Sequence, residues 1–128
     1  MTRRAVSTSA APPAAGPYSQ AITTDDLVFC AGQIGRDPVS GTMPEGVEAQ
    51  TQQVLKNLLA VLDAAGCTFA DVVKTTCFLA DINDFAAFNG VYETFMSDPP
   101  PARSTFQVGA LPMGARVEIE AIAVRARE

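Results

Sequence analysis

The sequence predicts an α+β fold, a single layer of mixed β-sheet with two helices packed on one face. Three observations predict it. Two stretches, Val47 to Ala65 and about Asn83 to Met96, repeat apolar residues at helical spacing. Runs of β-branched and aromatic residues, bounded by Gly and Pro, lie around them. The last run carries apolar residues on both faces, so two helices alone cannot cover it.

The elements follow in order. Ala11-Pro12-Pro13 and Gly16-Pro17 punctuate an irregular N-terminal arm. Leu27 to Ile34 is rich in strand formers, and Asp37-Pro38-Val39-Ser40-Gly41 supplies the turn after it. Val47, Val54, Leu58, Val61, Leu62 and Ala65 mark the first helix, with Gly66 placed to stop it. Val72 to Ala80 is apolar on both faces and reads as a central strand. Phe85, Phe88, Val91, Tyr92 and Phe95 mark the second helix, which Pro99-Pro100-Pro101 ends. Ser104 to Gly109 and Arg116 to Arg125 are the last strands. The order is strand, strand, helix, strand, helix, strand, strand.

In Arg116 to Arg125 one face carries Val117, Ile119, Ala121 and Ala123. The other carries Glu118, Glu120, Ile122 and Val124. An apolar second face suits contact with another subunit in a closed cyclic oligomer. A solvated face with two stray aliphatics has the same pattern.

At 128 residues the chain is sized for one domain, residues 1–128. Its 48% apolar and 18% charged content belongs to a folded globule, not a disordered chain. A formal charge of −5 with only nine Lys and Arg, scattered, argues against nucleic acid as a partner. No run approaches the ~20 apolar residues of a membrane span. The N-terminus lacks the apolar core of a secretory signal, although its basic, Ser/Thr-rich start faintly resembles a transit peptide. Cys30, Cys67 and Cys77 lack metal-ligand spacing, and no His exists to complete a site. They read as small buried hydrophobes in a reducing compartment, which makes the expected location cytoplasmic.

Without His, a general base must be a carboxylate, Tyr, Lys or Cys. Glu118 and Glu120 share a strand face, and burial there would raise a carboxylate toward useful basicity. An exposed pair of surface glutamates has the same spacing. Arg103 follows a rigid Pro-rich lead-in and suits bidentate capture of a carboxylate, or else it is a solvated loop arginine. Gly16-Pro17-Tyr18 presents a tyrosine that either walls a pocket or simply packs. Ala31-Gly32-Gln33 puts Gly inside a strand, which often marks close approach by a ligand or another backbone.

These residues fall within a longer pattern. It comprises AP…GPYSQA (Ala11 to Ala21), AGQIG (Ala31 to Gly35), and a helix with Gln50, Thr51 and Asn57. It continues through AAG…DVVKTT.FL.D.NDF (Ala64 to Phe85), FN.VY..F (Phe88 to Phe95), PPARSTF (Pro100 to Phe106), LP (Leu111-Pro112) and VEIEAIAV (Val117 to Val124). In this the chain resembles the reactive-intermediate deaminases of the RidA/YjgF type from Ser7 to Val124. The resemblance implies a chorismate-mutase-like α+β fold, trimeric with a central barrel and with clefts between neighbours. It implies hydrolysis of reactive enamines and imines, such as those from 2-aminoacrylate, to 2-oxo acids and ammonia without a cofactor or metal. Carried over, Arg103 pairs with the substrate carboxylate and Glu118 positions and activates the attacking water. Tyr18, Asn89, Ala31, Gly32 and Thr105 line the cleft. Three residues depart from the common family pattern: Ala31 stands for Ser, Thr105 for Cys, and Met113 for Lys. The alternatives are a non-catalytic small-acid-binding or chaperone-like trimer and, from an older family label, an endoribonuclease.

Overall fold

The structure is a computed structural model that describes residues 2–125. Six strands form one sheet in the order β1-β2-β3-β6-β4-β5. They are β1 (Arg4–Val6), β2 (Ala21–Thr23), β3 (Leu27–Gln33), β4 (Val72–Leu79), β5 (Ala102–Gln107) and β6 (Val117–Val124). Helix α1 (Val47–Ala64) joins β3 to β4, and α2 (Phe85–Phe95) joins β4 to β5. All pairings are antiparallel except β4 with β5, whose parallel register requires the crossover through α2.

The two helices and the mixed sheet agree with the sequence reading. The N-terminal arm does not, because three strands precede α1 where two were expected. Arg4–Val6 and Ala21–Thr23 are strands of three residues each, joined to one another and to the edge of β3. Nothing local makes strands so short; pairing does, β2 with β3 and β1 with β2. Between them, the buried Gln20 anchors the proline segment. Its amide donates to the carbonyls of Thr8 and Pro12 and accepts from the Thr8 N–H.

Helix α1 lays Val54, Leu55, Leu58, Val61 and Leu62 on the sheet, all fully buried. Gly66, with φ +81, ends it in the left-handed conformation that favours glycine. Below lie Val28 and Cys30 of β3, Cys77 and Leu79 of β4, and Val117, Ile119, Ala121 and Ala123 of β6. Phe88 and Tyr92 of α2 complete this layer. Leu58→Ala is expected to cost about 2–5 kcal/mol, because removing a fully buried side chain loses its transfer energy and leaves a cavity. Urea unfolding at fixed protein concentration measures it.

The opposite face of the sheet carries Phe29, Phe78, Phe106, Ile122 and Val124 around Glu118 and Glu120. Neither helix covers it. Phe29, Phe106 and Val124 are exposed, and Phe106 meets Phe78 edge-on at 5.3 Å. Exposed apolar side chains gathered on one face suit contact with another surface. Among the described residues no helix is long and apolar enough to cross a membrane.

Candidate functional site

The sequence-derived candidates fall into two groups, one on each face of the sheet. Arg103 pairs in register with Thr75, which pairs with the buried Ala121, so Arg103 lies on the helix face. Glu118 pairs with Phe78, which pairs with Phe106, so Glu118 lies on the open face. Side chains alternate along strands, and no bulge interrupts β4, β5 or β6 between these positions. Within one protomer the sheet therefore separates the guanidinium from the carboxylate.

On the helix face, α2 builds a cage for Arg103. Its guanidinium lies 4.7 Å from the Tyr92 ring centre, 5.4 Å from Phe85 and 5.7 Å from Phe88. Each such contact is worth about 0.5–2 kcal/mol, more as water is excluded. Nη1 donates to Asn89 Oδ1 at 2.7 Å. The Tyr92 hydroxyl is in turn tied to Thr75 Oγ1 at 2.7 Å, and burial holds its pKa above the ordinary phenol value. Among the described residues no carboxylate pairs with Arg103. The guanidinium is thus oriented by neutral groups and left free for an external anion. A cleft of about 290 Å³ opens beside Asn89, Tyr92 and Arg103. Two residues along β5, Thr105 Oγ1 is buried with no hydrogen-bond partner. It is paired in register with Cys77, whose thiol burial pushes up to about 11.

Asn89 holds the Arg103 guanidinium through this hydrogen bond. Asn89→Ala is expected to lower kcat/KM for a carboxylate substrate roughly tenfold, mainly through KM, as one hydrogen bond to a charged group is lost. Asn89→Asp should be worse, because a carboxylate there neutralises the guanidinium. Steady-state kinetics of the two variants, read as separate KM and kcat, check this ordering.

On the open face, a bulge shapes the second group. Cys30 pairs with Ala121 and Gln33 with Ile119, so Ala31 and Gly32 together oppose Glu120. The extra residue brings the Gly32 backbone against the Glu118 side chain. A methyl group at Gly32 would overlap the Glu118 carboxylate oxygen and lie 2.9 Å from its Cδ. Glu118 is half-buried, and burial, then the neighbouring Glu120, raises its carboxyl above the ordinary range. A cavity of about 460 Å³ is walled by Glu118, Gly32, Ala31 and Tyr18, with Met113 and Pro112 at the rim. Tyr18 is exposed, and its phenol oxygen accepts the Ala15 N–H at 3.2 Å. Met113 adopts φ +57, unusual for a residue with a side chain, and is also exposed.

Gly32→Ala is expected to keep the fold and lose turnover. The overlapped atoms are the far end of a flexible side chain, which can swing away. Displacing a carboxylate that serves as a base costs catalysis roughly 10²-fold. Comparing kcat with the urea midpoint separates the two effects.

Three buried amides had no place in the sequence reading of the site. Gln50 and Asn57, two turns apart on α1, share one face. Gln50 accepts from the Arg116 N–H at 2.8 Å and donates to the Pro44 carbonyl at 2.9 Å. Asn57 donates to the carbonyls of Ile34 (3.1 Å) and Arg36 (2.9 Å). Together they clamp the loop after β3 and the start of β6, both of which border the cavity. Gln20 does the same for the arm bearing Tyr18. The available signal was a polar residue on the apolar stripe of an amphipathic helix.

Comparison with known proteins places this geometry. The family model described as endoribonuclease L-PSP matches residues 8–125. The 2-iminobutanoate/2-iminopropanoate deaminase of Rattus norvegicus is 54% identical over 124 residues, 96% of this chain and 90% of that protein. The crystal structure of E. coli TdcF with bound serine superposes with a TM-score of 0.92 at 41% identity, covering 96% of this chain and 99% of that one. The E. coli YjgF gene product gives a TM-score of 0.92 at 42% identity with the same coverage.

Proposed function

Because the chain belongs to the RidA/YjgF family of deaminases, we propose that it is a 2-iminobutanoate/2-iminopropanoate-type deaminase whose active sites form between the subunits of a homotrimer. The observation that carries this reading is the division of the candidate residues between two faces. Arg103 and Glu118 serve one substrate only if Arg103 of one protomer meets Glu118 of the next. The uncovered apolar face supplies a surface on which protomers associate, and closing it on itself gives a central barrel.

In the assembled cleft, Arg103 forks onto the substrate carboxylate and holds the planar imine beside Glu118. An enamine first tautomerises to the imine. Glu118 takes a proton from water as the oxygen adds to the imine carbon, and the proton passes to nitrogen. The carbinolamine then collapses, the C–N bond breaks, and ammonia leaves a 2-oxo acid. This is hydrolysis, and neither metal nor organic cofactor enters the atom balance. The serine bound in E. coli TdcF, a small amino acid with one carboxylate, has the size this cleft would accept.

Thr105 places a hydroxyl where the family often has a thiol, and Ala31 withdraws the hydroxyl of the common serine. The first retains a polar contact near the Arg103 side; the second makes the Glu118 side more apolar. A non-catalytic binder of small acids is separated by one assay. Purified protein added to a serine or threonine dehydratase reaction should speed ammonia and 2-oxo-acid release, and no acceleration would assign the fold to binding alone. The ribonuclease wording of the family description suits neither the formal charge of −5 nor the nine scattered Lys and Arg.

A further inference from the structure

We propose that the Glu118 cavity also takes imines of dicarboxylic amino acids, with Arg36 holding the second carboxylate; this rests on the deaminase reading and widens its substrate class. Arg36 lies just beyond β3 and lines the same cavity as Glu118 and Gly32. It is half-buried in a wall that also carries Glu118, Tyr18, Gln20 and Gln33 beside Pro, Ala, Ile and Met. A guanidinium lining a cavity is placed to meet an anion that enters it.

Among the described residues no carboxylate forms a salt bridge with Arg36. Arg36 makes one side-chain hydrogen bond, Nε to the Gly41 carbonyl at 3.2 Å, which leaves the guanidinium's remaining donors for another acceptor. The adjacent carboxylate, Asp37, is committed elsewhere. Its Oδ1 accepts the N–H groups of Val39 (2.8 Å) and Ser40 (3.0 Å), which hold its pKa below the ordinary value. Glu118 does not serve either, since its carboxylate stands on Gly32 and is raised by burial and Glu120.

The Arg36 backbone is also pre-organised. Asn57 pins its carbonyl, and the turn beyond it is closed by Asp37 N–H to Thr42 and Gly41 N–H to Asp37. An arginine on a fixed base, lining a cavity, suits a carboxylate. A monocarboxylic imino acid engages Arg103 and leaves Arg36 unmatched. One with a terminal carboxylate satisfies both cations and keeps the C=N group between them, near Glu118. Such imines arise when the α-carbon of an acidic amino acid is oxidised, so a reaction of that class would supply the substrate.

The test compares 2-iminoglutarate with 2-iminobutanoate, each generated in place from its amino acid by an L-amino-acid oxidase. The readout is the ratio of kcat/KM values for the two. Arg36→Met is expected to lower this ratio about tenfold or more, Arg36→Lys to restore most of it, and Arg36→Glu to lower it further. A ratio unchanged within about twofold in the Arg36→Met assembly, or a wild-type ratio no higher than that of Arg36→Glu, overturns the proposal. Calorimetric binding of 2-oxoglutarate against 2-oxobutanoate runs in parallel on the same variants. If no imine is hydrolysed by any of them, the deaminase reading fails, while the binding ratio still decides the role of Arg36.

Discussion

Arg103→Ala is expected to lower kcat/KM for 2-iminobutanoate roughly 10²–10³-fold while the oligomer stays assembled. The guanidinium is the clamp for the substrate carboxylate, and losing one partner of a desolvated charge pair costs about 2–5 kcal/mol. Arg103 is held by Asn89 and three aromatic rings, not by a carboxylate, so its removal leaves no protein anion unpaired. The loss should therefore appear in substrate affinity and turnover, and the lost ring contacts should also lower the thermal midpoint without dissolving the oligomer. Arg103→Lys should recover only part of the activity, because an ammonium cannot form the fork. Full activity in the alanine variant would remove the clamp from the mechanism.

Glu118→Gln is the second large effect, with kcat expected to fall about 10²–10⁴-fold while carboxylate ligands still bind. The amide fills the same space against Gly32 but cannot take a proton from water. The pH profile carries a sign. Burial and Glu120 raise Glu118, so its basic form is lost on acidification at a pH above the ordinary glutamate value of about 4.3. The wild-type rate should fall as pH drops through that raised value, and the residual rate of Glu118→Gln should lack this limb. For stability the direction reverses. The folded state binds more protons than the unfolded state between the two pKa values, so this group's contribution falls as pH rises through that window. Glu118→Gln removes that decline, and unfolding measured across pH checks it.

How far these features could be read in advance differs by residue. The alternation in β6 placed Glu118 and Glu120 opposite Val117 and Ile119, since period two is a local property. Gly32 was legible as a point of close approach, and its neighbour is the Glu118 carboxylate. The opposition of Arg103 to Glu118 was not legible. It depends on the parallel register of β5 against β4, which the crossover through α2 sets and no short-range pattern encodes. Phe85, Phe88 and Tyr92 read only as a core stripe; the structure gives the same stripe a second use, as the cage around Arg103. Only one strand besides β3 was expected before α1, and neither β1 nor β2 was given a range, because three residues carry too little periodicity. Gln20, Gln50 and Asn57 were missed as site-shaping groups because their partners are backbone atoms far away in sequence.

The most direct measurement mixes two inactive proteins. Arg103→Ala and Glu118→Gln, unfolded together in equal amounts and refolded so that subunits exchange, form assemblies in which some boundaries join an intact arginine to an intact glutamate. If each site draws one group from each of two protomers, about a quarter of wild-type activity should return, since half the contributors of each group are intact. No recovery above the two separate variants, with exchange verified by differently tagged subunits, would contradict a site shared across the boundary.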